Sequence, residues 1–297
     1  MTIPKTPDKM LDNRKSRYFS SSRLKLHYSE CGDLTAPPLL LLHGFRDHCR
    51  SWDWVAAKLQ DRFHIIAPDL RGHGDSDWAI GGAYVLDDFV YDLYRMMEEL
   101  SLPAVSIMAH SMGGAVALDF AGLFPHRVSR LLTIESTRRL ERPEPPRQTV
   151  TEIASEWMDQ LDRLAARPQR KYASVADAQK RLAGANPRLS STQAHHLTVH
   201  GLHTNDDGSL SWKYDPYVRV RGPSRFDRAA TKEIWGRTTC PLTLVHGTES
   251  GMGDVREKGL EHLFGQPDVV KIAGAGHWVH HDRFDEFMAV AQKALLG

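Results

Sequence analysis

Cysteine is scarce in this 297-residue chain, and neither sign of charge dominates it. The three cysteines, Cys31, Cys49 and Cys240, stand far apart and form no C-x-x-C pair. That argues against a disulfide framework or a cysteine zinc site, and a reducing, cytoplasmic compartment is expected. Lys and Arg number 38 against 37 Asp and Glu, a net charge of +1. So even a balance offers no electrostatic footprint for nucleic acid or an anionic membrane, and neither is expected as a partner. No run approaches the ~18 apolar residues of a membrane-spanning helix. The polar, basic stretch from Met1 to Arg17 lacks the apolar segment of a secretory signal. Internal repeats and low-complexity tracts are also missing.

What is present is enough apolar residue, 41%, for a large core. Residues 1–16 read as a loose polar arm. Arg17 to Cys31 alternates around Leu24, Leu26 and Tyr28, which predicts one or two half-buried strands. Leu39-Leu40-Leu41-Leu42 is too short for a helix and suits a strand buried on both faces. Helix and strand patterns then alternate: Ser51–Gln60, Phe63–Ala67, Asp87–Leu100, Val105–Ala109, Gly113–Phe124 and Val128–Ile134. That rhythm predicts an α/β fold, a mostly parallel twisted sheet flanked by helices. It breaks at the proline-rich stretch around Pro143, Pro145 and Pro146, where helical patches at 174–182 and 192–202 replace strands. It resumes at Pro241–Val245, with a helix near Val255–Leu263, a strand at Val269–Ile272 and a last helix, Asp282–Leu296. The organisation expected is a core of residues 1–137 and 238–297 with a helical cap inserted over 138–237.

The chemistry concentrates in Ala109-His110-Ser111-Met112-Gly113-Gly114. A strand runs into a serine and straight into a helix. So sharp a turn needs small residues two positions either side, here Ala109 and Gly113. It lifts the serine hydroxyl above the sheet, at a helix N-terminus whose N–H groups favour negative charge. The segment resembles the nucleophile elbow of the α/β-hydrolase family, with Ala109 where the G-x-S-x-G pattern has glycine. The resemblance covers about residues 20–297. It implies Ser111 as nucleophile and the backbone N–H groups of Phe45 and Met112 as an oxyanion hole. It also implies His277, in Gly274-Ala275-Gly276-His277-Trp278, as the base. His280 and His281 stand beside it as alternatives. Asp69-Leu70-Arg71-Gly72-His73-Gly74-Asp75-Ser76 matches a loop of the family and reads as structural.

The third catalytic group departs from the common pattern. Most members carry an acid in a G-x-x-D turn, which reads Gly247-Thr248-Glu249-Ser250 here. Three carboxylates could replace the missing one: Glu249, Asp254, and Glu135 at the end of the strand after the nucleophile helix. Glu135 is favoured, because that strand ends at the same crevice and some members place their acid there. Its other reading is a hinge group paired with Arg138 or Arg139.

The inserted segment brings Trp157, Met158, Tyr172, Trp212, Tyr214, Tyr217 and Trp235. Trp157, Trp212 and Tyr214, with Trp278 beside the base, are candidates to line an apolar substrate pocket; the alternative is the cap's own core. His196, His200 and His203 have helical spacing, with His195 adjacent. Without a carboxylate on their face they read as cap polarity, and no metal is expected. Relatives that open epoxides or cleave carbon–halogen bonds use aspartate as nucleophile, so Ser111 points to acyl transfer. The expected function is hydrolysis of a small carboxylic ester or lactone, without cofactor, by a monomer or homodimer. The resemblance also allows a cofactor-independent dioxygenase, a perhydrolase or a C–C bond hydrolase. A hydrolase-like receptor that binds without turnover is the reading outside enzymes.

Overall fold

The computed structural model describes residue 11 and residues 13–81, 84–141, 149–220, 227–251 and 254–297. Most of the expected N-terminal arm and the proline-rich stretch lie outside the described residues. One sheet contains β1 (Lys15–Ser21), β2 (Leu24–Cys31), β3 (Pro38–Leu42), β4 (His64–Pro68), β5 (Val105–His110) and β6 (Val128–Ile134). A separate hairpin, β7 (Leu202–Thr204) and β8 (Leu210–Trp212), follows in the insertion, and β9 (Leu242–Gly247) and β10 (Asp268–Ile272) complete the sheet. The strand order is β1-β2-β4-β3-β5-β6-β9-β10. β1, β2 and β4 pair antiparallel, and every pair from β4 to β10 is parallel.

The leucine run of β3 shows why the sheet is doubly covered. Successive side chains of a strand point to opposite faces. Leu39 and Leu41 pack with Trp52, Leu59 and Phe287; Leu40 and Leu42 pack with Met96, Val116 and Phe120. A strand with helices on both sides must be apolar throughout, which the four-leucine run satisfies. The first layer comes from α1 (Asp53–Leu59), the second from α2 (Leu86–Glu99) and α3 (Ser111–Leu123).

The chain leaves the sheet at α4 (Arg138–Glu141) and inserts α5 (Val150–Ala165), α6 (Val175–Ala185), α7 (Ser191–Gly201) and the β7–β8 hairpin. It returns through α8 (Arg228–Gly236) and ends in α9 (Val279–Asp282) and α10 (Phe284–Leu296). Although α8 falls within residues 138–237, it packs against α3. Trp235 is fully buried there and donates its indole N–H to Asp119 at 2.7 Å. Gly122 permits the close crossing, since a Cβ on it would lie 1.9 Å from the Ile234 carbonyl. Trp235 is therefore core and not pocket wall.

Two helices differ from expectation. Residues near Val255–Leu263 form turns and one short 3-10 segment, Glu261–Phe264; Gly259, at φ +64°, interrupts any helix there. The last helix is split at Arg283, whose backbone leaves the helical region. The β7–β8 hairpin, with strands of three residues, is too short to register as a periodic pattern. No helix among the described residues is long and apolar enough to cross a membrane.

Candidate active site

β3 lies between β4 and β5, so successive connections leave it in opposite directions. In an open α/β sheet the crevice at such a reversal, at the carboxyl ends of the strands, is where ligands bind. Two of the singled-out segments start there: His43-Gly44-Phe45 after β3 and Ser111 after β5.

Ser111 opens α3 with φ +52°, a left-handed conformation that is uncommon outside glycine. Its neighbours make the apex possible. A Cβ on Gly113 would lie 2.4 Å from the His43 carbonyl, and one on Gly114 would lie 1.8 Å from Ser136 Oγ. Ala109, in place of the glycine of the usual motif, is fully buried in the core.

The loop after β3 is pinned by its histidine. His43 Nε2 accepts the Leu70 N–H at 3.0 Å, so the ring proton is on Nδ1, which donates to the Gly44 carbonyl at 2.7 Å. In a trans peptide the carbonyl and the next N–H point in opposite directions. Holding the Gly44 carbonyl against His43 therefore turns the Phe45 N–H the other way. Gly44 lets this loop lie close to the serine, because a Cβ on it would be 3.3 Å from Ser111 Cβ. The Met112 N–H lies in the first turn of α3, where N–H groups have no partner within the helix.

His277 Nε2 is 3.0 Å from Ser111 Oγ. Its loop is held from two sides. His110 Nε2 donates to the His277 carbonyl at 2.9 Å, and Asp282 accepts the Gly276 N–H at 2.7 Å. His280 is buried and stacked on Trp52; His281 is buried and bonded to Ser51 at 2.9 Å.

Of the three carboxylates, the fold brings Glu135 to the histidine. Glu135 follows β6 at φ +55° and is 1% exposed. Its Oε1 accepts the Gly247 N–H at 2.6 Å. Its Oε2 lies 3.7 Å from His277 Nδ1 and has no hydrogen-bond partner. Gly247 allows this approach, because a Cβ there would meet the Ala275 and Gly276 carbonyls at 2.4 and 2.5 Å. Asp254 is instead committed to Lys271 at 3.3 Å and Arg256 at 3.4 Å. Hydrogen bonding and these cations hold its carboxyl below the usual range against the cost of its burial. Glu249 pairs with Arg188 of the inserted segment.

The inserted α7 packs on the core through polar contacts. His48 Nε2 donates to the Leu197 carbonyl of α7 at 2.9 Å, and Gln193 Nε2 donates to the His281 carbonyl at 3.0 Å. His196 lies 3.1 Å from Asp53, Arg50 donates to His200 at 2.9 Å, and His203 bonds Asn205 at 3.0 Å. His196 and His200 pack ring to ring with centres 4.5 Å apart and both contact Arg50, whereas His203 turns to its own hairpin. Among the described residues, His27, Cys49 and Asp69 do stand close enough to share a cation. However, His27 is bonded on both nitrogens, to Asp69 and to Ser16, each at 2.7 Å. Between the insertion and the core lies a small, partly open cleft walled in part by Trp212, Tyr214 and Trp278. Ser111 does not line it; Arg46 and Trp278 do, each one residue beyond Phe45 and His277. Trp157, on α5, is not among its walls. Tyr172 belongs to a small core within the insertion, with Ala178 and Leu202.

The sequence reading passed over His43, His110 and Asp282. His43 and His110 act on backbone groups of loops distant in the chain, Asp282 on the Gly276 N–H six residues back, and no local pattern marks these roles.

Buried histidines give the protein a pH signature. Burial drives the imidazoles of His43, His73, His110, His280 and His281 below their ordinary range, His43 and His281 to about 3 and His73 to about 4. They remain neutral in the fold where an unfolded chain binds protons. Their contribution is therefore complete above pH ~6.5 and is lost as pH falls from there toward about 3. Each ring costs up to about 1.4 kcal/mol per pH unit in that window. The urea midpoint is expected to change little between pH 7.5 and 6.5 and to drop steeply by pH 5.5. An unchanged midpoint at pH 5.5 would show that these rings bind protons in the folded state.

A twisted, mostly parallel sheet with a serine raised at its reversal point defines a class of α/β proteins whose chemistry sits on loops at the carboxyl ends of the strands. Within that class, this chain belongs to the α/β-hydrolase fold family, whose profile matches residues 37–284. An uncharacterized protein of Mycobacterium tuberculosis is 39% identical over 102 residues, 34% of this chain. The match spans only 30% of that relative's length. Epoxide hydrolase 3 of Mus musculus is 24% identical over 93% of this chain and 76% of its own. Among solved structures, the thioesterase domain from the curacin biosynthetic pathway superposes with a TM-score of 0.84 at 22% identity, covering 95% of this chain and all of that one. An esterase of Mycobacterium tuberculosis superposes with a TM-score of 0.73 at 21% identity, covering 96% of this chain and 92% of that one.

Proposed function

We propose that the protein is a hydrolase that cleaves a carboxylic ester or lactone through an acyl-enzyme. The observation that carries this is the 3.0 Å contact between His277 Nε2 and Ser111 Oγ at the apex of a left-handed elbow. Ser111 Oγ attacks the carbonyl carbon while its proton passes to His277 Nε2. The carbonyl oxygen becomes an oxyanion, and the N–H groups of Phe45 and Met112 receive it. Collapse breaks the bond to the alcohol, which leaves with the proton from His277. Water then attacks the acyl-enzyme, giving up a proton to His277, which returns it to Ser111 Oγ as the acid departs. Glu135 Oε2 faces Nδ1 throughout, selecting the tautomer with the proton on Nδ1 and balancing the imidazolium. The inserted α5–α7 helices and β7–β8 hairpin supply the lid, and the partly aromatic cleft beneath them receives the substrate. Serine instead of aspartate at the elbow separates this chemistry from that of the epoxide hydrolase relatives.

Fluorophosphonate labelling followed by peptide mass spectrometry tests the reading without a guess at the substrate. An adduct on Ser111 that disappears in His277→Ala is expected. Folded protein that takes no label, or takes it equally in His277→Ala, would overturn an activated serine.

A further inference from the structure

We propose that the ester cleaved here carries a carboxylate or comparable anion, held by Arg46; this rests on the ester-hydrolase reading of the same site. Arg46 directly follows Phe45 and lines the cleft between core and cap. Its backbone is left-handed, at φ +58°. Glycine or asparagine would take that conformation more readily, and such strain in a non-glycine residue concentrates at binding sites. The side chain is exposed, and its guanidinium is held by rings and not by an acid. It lies 4.9 Å from the Phe45 ring centre and 5.9 Å from that of Tyr214. Among the described residues no carboxylate pairs with it.

The surrounding charges leave that cation unopposed. Lys213, across the cleft, is engaged by Asp75 at 2.7 Å. Arg188, also of the cap, is engaged by Glu249. Asp47, next in the chain, is buried, its carboxyl pushed up by that burial, and one of its oxygens accepts the His48 N–H at 2.9 Å. Arg46 therefore offers a planar, permanently charged donor with unused N–H groups in the cleft, one residue beyond Phe45. Aromatic rings and Leu182 and Leu197 form the apolar part of the walls, with Asp47, His48 and Lys213 as the polar part. Trp212 and Tyr214 are stacked with ring centres 6.3 Å apart and planes 12° apart, and Trp278 faces the same space. The site suits an ester whose apolar or aromatic portion lies along these rings and whose anionic group meets the guanidinium.

The test compares p-nitrophenyl hydrogen glutarate with p-nitrophenyl pentanoate, esters of the same chain length with and without a terminal carboxylate. The wild-type protein is expected to prefer the glutarate at least tenfold in kcat/KM. That ratio should fall at least tenfold in Arg46→Asn, chiefly through KM, and be partly kept in Arg46→Lys. Asparagine is chosen because it tolerates the left-handed backbone; if its melting temperature falls, Arg46→Gln serves in its place. A wild-type preference for the pentanoate, or a ratio that Arg46→Asn leaves unchanged, would overturn the proposal.

If neither ester turns over, binding decides separately. Tryptophan fluorescence of Ser111→Ala is titrated with 3-phenylpropionate and with 3-phenylpropanol. Tighter binding of the acid, abolished by adding Arg46→Asn, would sustain the anion site while the ester reading falls. Equal binding of acid and alcohol would overturn the anion site itself.

Discussion

Ser111→Ala is expected to lower kcat by about 10⁵–10⁶-fold and to abolish fluorophosphonate labelling. The size follows from what the hydroxyl does. Without it no acyl-enzyme forms, and only the oxyanion donors and substrate binding remain to accelerate attack by water. The fold is expected to survive, because alanine adopts the same φ of +52° at similar cost, and the serine hydroxyl is replaced by nothing larger. Thermal unfolding within a few degrees of wild type would show that catalysis and not structure was removed. Ester hydrolysis at more than a tenth of the wild-type rate would mean that Ser111 is not the nucleophile.

Glu135→Gln carries the second-largest expected effect, about 10³–10⁴-fold in kcat. The carboxylate uses its two oxygens as acceptors in two directions, toward the Gly247 N–H and toward His277 Nδ1. An amide has one acceptor oxygen. If that oxygen keeps Gly247, the NH₂ group faces Nδ1 and favours the wrong tautomer. If it turns to His277, a buried backbone N–H is set against a donor. The 3.7 Å separation is expected to shorten when substrate fills the site and positive charge develops on the ring. Asp254→Asn and Glu249→Gln are expected to change kcat less than fivefold, because their carboxylates face Lys271, Arg256 and Arg188 instead. A thousandfold loss in Asp254→Asn with an active Glu135→Gln would transfer the acid role to Asp254.

These carboxylates show where reading from sequence stops. All three follow or flank strands that end near one crevice, and nothing in their local patterns separates them. The choice lies in contacts across more than 100 positions, between Glu135 and Gly247 or His277. The turn after β9 lacks an aspartate, but it supplies the N–H that anchors one oxygen of Glu135. The aromatic residues of the insertion behave similarly. Trp212 and Tyr214 reach the cleft, Tyr172 serves a small core within the insertion, and Trp235 packs with α3. Composition is the same for all four; only the packing of each helix or hairpin assigns them.

Sequence by itself determined what depends on local backbone demands. A run of four leucines bounded by turns can only be satisfied between two helical layers, and the alternation of such runs with amphipathic helices set the α/β architecture. The elbow was legible because its sharp turn requires small residues at set offsets from Ser111, and those offsets are written in consecutive positions. Tertiary structure decided what depends on distance through space: the carboxylate that faces His277, the histidines that hold the Phe45 and His277 loops, and the arginine left without an acid. Those contacts join residues that share no local pattern. Their energies depend on burial and on which polar atoms remain unpaired once the chain has packed.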